Sequence, residues 1–352
     1  MNERVSEKGG FWRTIDERIG LKALRYPVPG YANTLAYTLG GITFFSFLVV
    51  GITGVILAQF YNPTPQDANA SARMIATAIP LGAFVRNLHY WAAQAMVVSL
   101  VLHVARVFLT GAYKRPREFN WIIGIGLLGT TLALFFTGTV IKWDQEGFEA
   151  LEHNIEVANL LGGLGGYFSP SFGTGVSLLT RLYSAHVSVL PLIFFGLIIL
   201  HVFYIRYFGI APLPERLKAL LARGREGAGS FLVHLRKIVE YGSVTLVVIA
   251  VLSVFFPAPL GPVPIPGLEV TRPPWPFQWL MPIESTFGIQ WLFPATLVPF
   301  VLLLIVPLLD RGEERDPRRR ALFIVGFFVG LAIVLALTVI AALSPVGQHL
   351  GG

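Results

Sequence analysis

Four histidines carry the chemistry open to this chain: His89, His103, His186 and His201. They form two pairs, 14 and 15 residues apart, and each pair lies within one apolar stretch. A 14-residue step climbs about 21 Å along a helix and returns to nearly the same face. Each stretch therefore offers two imidazoles on one stripe, one toward each side of a bilayer. Two such helices side by side can hold two haems stacked across a membrane, because neutral imidazole is a standard axial ligand of haem iron. The two helices are the second and fourth spans, so they run in the same direction. That pairs His89 with His186 and His103 with His201. Polar groups are costly in hydrocarbon and usually functional there. The alternative is a hydrogen-bonded core histidine of a transporter, and the matched spacings argue against it.

Glycines repeat the same period. Gly40 and Gly54 are 14 apart, and so are Gly124 and Gly138. A flat macrocycle needs close backbone approach, which glycine permits; small-residue helix packing is the other reading. Arg86 precedes His89 by three residues and Arg106 follows His103 by three. Both sit where propionate carboxylates need bidentate partners, or where a long cation snorkels to an interface. Arg181, near the outer end of the fourth span, joins this cofactor-binding set.

The elements that must position these residues are membrane helices. The chain has 352 residues, of which 54% are hydrophobic and 13% charged, which excludes an ordinary soluble domain. The expected fold is an all-α integral membrane protein of seven transmembrane helices, a four-helix haem-binding bundle followed by three more. Apolar runs fall near 35–60, 84–110, 121–141, 182–207, 241–257, 290–309 and 321–343. Residues 1–34 read as an amphipathic interfacial segment without a cleavable signal, with Phe11, Trp12, Ile15, Ile19 and Ala23 on one side. Residues 35–207 are the expected di-haem bundle, 208–240 a polar cytoplasmic linker, and 241–352 the three-helix block.

Charge orients the chain. Lys and Arg crowd the residues before span one, after span two, between spans four and five and between spans six and seven. Only Arg73, Arg86, Lys142, Arg181 and Arg272 lie at or beyond the other face. The positive-inside rule then puts the amino terminus in the cytoplasm and the carboxyl terminus outside. The net charge of +7 is topology, not a nucleic-acid signal. With no cysteine, the chain can make no disulfide, iron–sulfur ligation or thioether haem, so any haem is non-covalent.

At these residues the chain resembles cytochrome b of the quinol:cytochrome c oxidoreductase (cytochrome bc) family. The matching stretches are LGGIT (39–43), the Arg86–His89 segment, HVARVFLTGAYKRPREFNW (103–121), WDQ (143–145), LLTRLYSAHVSVLP (178–191) and HVFYIR (201–206). Closest in kind is the photosynthetic bf-type branch, whose four-span haem subunit and three-span subunit IV are fused here. PLLDRGEERDPRRR (307–320) resembles subunit IV. The resemblance implies two b haems with bis-histidine ligation, low-potential outside and high-potential inside. It implies quinol oxidation at an outer pocket, with one electron passing to a Rieske iron–sulfur protein and on to a c-type cytochrome. The other crosses the membrane to reduce quinone inside, and protons move with them. It further implies a bacterial inner membrane, lipid contact and a homodimeric complex; no nucleic acid is involved.

Two departures stand out. The bf-type branch attaches an extra haem to a cysteine where this chain has Thr38, which leaves only a non-covalent extra haem open. The family's outer Pro-Glu-Trp-Tyr motif aligns with Pro273, Pro274, Trp275 and Pro276, so its glutamate and tyrosine are missing. Pro273 and Trp275 remain candidates for that pocket. The substitute proton acceptors are Asp144 and Glu146 first, then Glu149, Glu269 and Glu284; the alternative is that all are solvated carboxylates. Lys142, in place of a family proline, adds a cation beside them. His234 and Glu240 are candidates for the inner quinone site. His153 and His349 read as surface residues. The competing functions are a two-haem conduit that does not bifurcate electrons and, from another class, a seven-span transporter.

Overall fold

The computed structural model describes Arg18, Gly20 and residues 24–173, 175–221 and 227–346. The expected interfacial stripe of Phe11 to Ala23, part of the linker and His349 lie outside the described residues.

Along the chain, strand β1 (Pro27–Pro29) leads into helix α1 (Leu35–Ala58). A short α2 (Ala68–Thr77) follows, then α3 (Gly82–Leu109), α4 (Glu118–Val140) and the amphipathic α5 (Gln145–Leu160). The fourth span is composite: α6 (Leu178–Ser184), a π turn (Ala185–Val189) and α7 (Leu190–Phe208). Helix α8 (Glu215–Leu221) and strand β2 (Ala228–Ser230) precede α9 (Phe231–Phe255), α10 (Leu280–Phe287), α11 (Leu292–Leu309) and α12 (Ala321–Leu343). Among the described residues, seven helices are long and apolar enough to cross a membrane, and they match the seven runs in the sequence.

The fifth span departs from expectation at its start. It begins at Phe231 rather than 241, because FLVHLRKIVE continues the helix despite its charges. Ser230 caps it, accepting from the Leu232 amide at 3.3 Å, and β2 just before pairs antiparallel with β1. The expected linker therefore holds a helix, a strand and the first turns of a span.

Polar residues inside the spans satisfy themselves locally. The hydroxyls of Thr53, Thr130, Thr131 and Thr137 each donate to the carbonyl four residues back, at 2.7–2.8 Å. Packing runs in two layers: α1 lies along α3, α4 lies along α7, and α9 closes against α1 and α3. Helix α3 and the composite fourth span, which carry the four histidines, do not pack closely on each other. Midway along the bundle Phe47 stacks on Phe194, with ring centroids 4.0 Å apart, and Met96, Ile123 and Leu127 complete that cluster. The outward faces of α11 and α12 carry exposed Leu, Val and Ile, which suits hydrocarbon rather than water.

At the end where β1 and β2 pair, a buried ion cluster joins the four-span and three-span blocks. Asp310 accepts from Lys114 (2.7 Å), Tyr113 (2.5 Å) and Arg320 (2.8 Å). Burial alone would raise the Asp310 pKa, but the hydrogen bonds from Lys114, Tyr113 and Arg320 hold it below the ordinary carboxylate value. Removing one member of such a buried cluster costs roughly 3–5 kcal/mol. Trp121 adds a bond from its indole to the Leu303 carbonyl at 2.7 Å.

Candidate functional site

The histidine rings meet in the expected pairs. His89 and His186 have centroids 6.5 Å apart, and so do His103 and His201. A metal–imidazole bond is roughly 2.0–2.1 Å, so two such bonds plus about 1.1 Å from each nitrogen to its ring centre span about 6.3 Å. Each pair therefore has room for one metal ion held from both sides. All four rings are partly accessible rather than packed in.

The unequal spacings, 14 in one helix and 15 in the other, are reconciled by the π turn. It contains His186 and inserts one residue into the helix, so the longer interval covers about the same rise and rotation as the shorter.

The four glycines back the four imidazoles one to one. A Cβ on Gly40 would lie 2.9 Å from His103 Cε1; on Gly54, 3.2 Å from His89 Cε1; on Gly138, 3.1 Å from His186 Cε1; and on Gly124, 3.6 Å from His201 Cε1. Their 14-residue period is thus the imprint of the histidine period on the neighbouring helices.

Sequence reasoning missed the groups behind the outer rings. His89 Nδ1 donates to the Val50 carbonyl and to Thr53 Oγ1, both at 3.0 Å. His186 Nδ1 donates to Thr137 Oγ1 at 2.9 Å. Each threonine spends its own hydrogen on a backbone carbonyl, so it can only accept from the ring. Both rings then carry hydrogen at Nδ1 and keep the Nε2 lone pair free for a metal. The signal was present in sequence as Thr-Gly at 53–54 and again at 137–138.

The inner rings differ. His201 Nδ1 faces the Asn120 carbonyl without reaching hydrogen-bond geometry. His103 Nδ1 lies 3.2 Å from Arg106 Nη2. The Arg106 guanidinium stacks on Tyr37 at 4.6 Å, and its buried Nε has no hydrogen-bond partner. An orphaned guanidinium donor inside the bundle suits an anionic ligand group such as a carboxylate. Arg86 and Arg181 bind backbone carbonyls, although the buried Nε of Arg181, like that of Arg106, has no hydrogen-bond partner. Arg86 holds the carbonyls of Ala258 (2.8 Å) and Pro259 (2.6 Å), and Arg181 those of Tyr167 (2.7 Å) and Ser169 (2.6 Å).

The outer loops are tied together by carboxylates. Asp144 caps α5 through the Gly147 amide (3.0 Å), accepts from the Gly261 amide (2.7 Å) and pairs with Lys142 (3.2 Å). Glu146 pairs with Lys142 as well. Glu149 receives the Gln145 side-chain amide and the backbone amides of Val270 and Thr271 at 2.9–3.0 Å, together with the Thr271 hydroxyl. Asp144, Glu149, Glu269 and Glu284 are all buried, so they are not a solvated set. Trp275 donates from its indole to Gln94, on α3 five residues beyond His89, at 2.6 Å.

His153 is no surface residue. Its Nε2 lies 3.4 Å from Glu269 and 3.3 Å from Glu284, both brought in from distant segments of the chain. At the other end, His234 is buried with Nδ1 3.3 Å from Asn33 Oδ1, while Glu240 is half-exposed and paired with Arg236 and Lys237.

Two stacked imidazole pairs inside a seven-span bundle define a membrane protein of the haem-carrying class. Residues 24–209 match the model of the Cytochrome b/b6/petB family, and the chain belongs to that family. The cytochrome b6 of Heliobacterium modesticaldum is 37% identical over 198 residues, 55% of this chain and 93% of that protein. That of Chlamydomonas reinhardtii is 38% identical over 207 residues, 56% of this chain and 95% of its own length. A chain of the solved structure "Hyperthermophilic respiratory Complex III" shares the fold with a TM-score of 0.79 at 24% identity, covering 95% of this chain and 91% of that one. The protein is thus a multi-pass, haem-bearing cytochrome b subunit of the bc class, with an additional three-span block after the matched region.

Proposed function

We propose that this chain is the electron-transferring, quinone-reactive core of a bacterial cytochrome bc complex. The observation that carries the reading is the pair of imidazole pairs, each 6.5 Å across and each backed by glycines. His89 and His186 hold an outer b-type haem, and His103 and His201 an inner one. Arg106, with its unspent donor, partners a propionate. Bound there, haems would supply one-electron carriers suited to electron transfer.

The protein's own residues do the rest. Thr53, Thr137 and the Val50 carbonyl fix the outer tautomers. Pro273 and Trp275 shape an outer quinol pocket, with Trp275 anchored on Gln94. His234 and Glu240 serve an inner quinone site. The partners are a Rieske iron–sulfur protein and a c-type cytochrome, within a dimeric complex, and the basic face is cytoplasmic.

A second reading, the non-bifurcating conduit, is favoured by one observation: the residues at 273–276 are Pro, Pro, Trp and Pro, none of them ionisable in the neutral range. Purification under mild detergent separates the two. Bifurcation requires two acid-extractable haems, a copurifying Rieske protein and quinol-dependent reduction of a c-type cytochrome. Two haems without quinol oxidation would leave the conduit. A colourless preparation would sink both.

A further inference from the structure

A proton released at the outer pocket finds no base in the proline motif itself. Beside Pro273, however, lies a cavity of about 40 Å³. Its ionisable lining comes from three segments: Glu146, Glu149 and His153 on α5, Glu269 in the loop, and Glu284 on α10. That volume admits a very small number of waters.

The carboxylates around the cavity are not equivalent. Glu149 has both oxygens engaged by amides and the Thr271 hydroxyl, and Glu146 is held by Lys142. Glu269 and Glu284 share the single ring of His153. Glu284 is 6% exposed, and its Oε1 makes no hydrogen bond; it only faces His153 Nε2 at 3.3 Å. Burial draws the His153 pKa down, but Glu284, the Glu149 carbonyl and Glu269 raise it to about 9. The ring of His153 thus faces a buried carboxylate whose Oε1 is open toward the cavity lining. Glu152, on the same helix, is raised above the ordinary carboxylate value by burial first, against the pull of His153, and then by Glu149, Glu156 and Glu269. Among the described residues, Lys142 is engaged by Asp144 and Glu146, and Arg272 by the carbonyls of Ala341 and Ser344.

On the premise that the outer quinol site proposed above exists, we propose that Glu284, positioned by His153, is its proton acceptor. The two quinol O–H bonds break one after the other, each with a new O–H bond formed on Glu284 Oε1, which hands the first proton to cavity water before taking the second. The electrons leave to one-electron acceptors of the iron–sulfur and haem classes. The neutral carboxyl then gives its proton to water in the cavity and returns to carboxylate.

The test uses the intact complex and a short-tailed benzoquinol, over a range of pH. Glu284→Gln should slow quinol oxidation at least about tenfold, the low end of what a general base contributes, with haem content unchanged. It should also remove a carboxylic-acid band from the infrared redox-difference spectrum. Glu284→Asp should restore part of the rate, which guards against a folding defect. His153→Gln removes a positive charge beside the carboxylate, so the acid limb of the pH–rate profile should move to higher pH while the rate at high pH is kept. A purely structural His153 would lower the rate equally at every pH, and that result overturns its positioning role. Wild-type rate and pH profile in Glu284→Gln overturns the proposal alone. Absence of quinol oxidation in the unsubstituted complex overturns it together with the outer quinol site.

Discussion

Each outer imidazole donates to the threonine that precedes its backing glycine, whereas the residues that precede the two inner glycines are Leu39 and Ile123. The two pairs have the same ring separation and the same glycine backing, so their ligand geometry is common. Their electrostatic settings are not. An imidazole donating from Nδ1 to oxygen is a richer electron donor at Nε2 and favours oxidised iron. A guanidinium beside the inner pair favours reduced iron. With haems bound as proposed above, both effects would make the outer carrier the weaker oxidant and the inner one the stronger. Electrons entering from outside would then run downhill across the bundle. On that reading the two cradles differ through the threonines behind the outer pair and through Arg106 at 3.2 Å from His103, whereas Arg86 near His89 binds backbone carbonyls.

The largest test of this contrast is ligand removal. His186→Ala should lose the outer haem and keep the inner, and His201→Ala the reverse, read by haem content and low-temperature spectra. Losing both haems from either substitution would show that the pairs are not separate sites.

Next comes the glycine backing. Gly40→Ala sets a methyl 2.9 Å from His103, whereas Gly124→Ala sets one 3.6 Å from His201, an ordinary contact. The first should disturb the inner low-spin spectrum and the second should leave it near normal. Equal effects would mean that the close approach has no functional weight.

A smaller effect is expected from charge. Arg106→Gln should lower the inner midpoint potential by on the order of 60 mV, a tenfold change in a one-electron equilibrium. A rise, or no change, in a redox titration would remove the cation from the account.

The smallest effects should come from exchanging the residue behind the ring. Thr137→Val should raise the outer potential and Ile123→Thr should lower the inner one. A hydrogen bond contributes roughly 0.5–1.5 kcal/mol, so each shift should be tens of millivolts. Shifts in the same direction for both would contradict the comparison.

Hydropathy and the histidine period made the spans and ring pairs legible in the sequence, because both follow from local periodicity. What escaped were contacts between segments distant along the chain. His153 reads as a surface residue on a polar helix until Glu269 and Glu284 fold over it. Asp144 reads as the first candidate for a proton acceptor, and only the fold reveals that its oxygens cap α5 and hold the Gly261 amide. The start of α9 was hidden because hydropathy falls over Phe231–Glu240 although the backbone ladder continues. The π turn left a trace, the interval of 15 against 14, but a spacing alone does not say where the extra residue is absorbed.

The Asp310 cluster has a consequence for how such a molecule can be encoded. Lys114 and Tyr113 belong to the four-span block, Asp310 and Arg320 to the three-span block, and α9 rests on α1 and α3. The blocks are thus joined by side chains and helix faces as well as by peptide bonds. Covalent continuity between Leu221 and Gly227 is then redundant for assembly: two polypeptides made from separate reading frames could find the same arrangement. A single chain fixes their ratio at one to one and spares the membrane a search for the second partner.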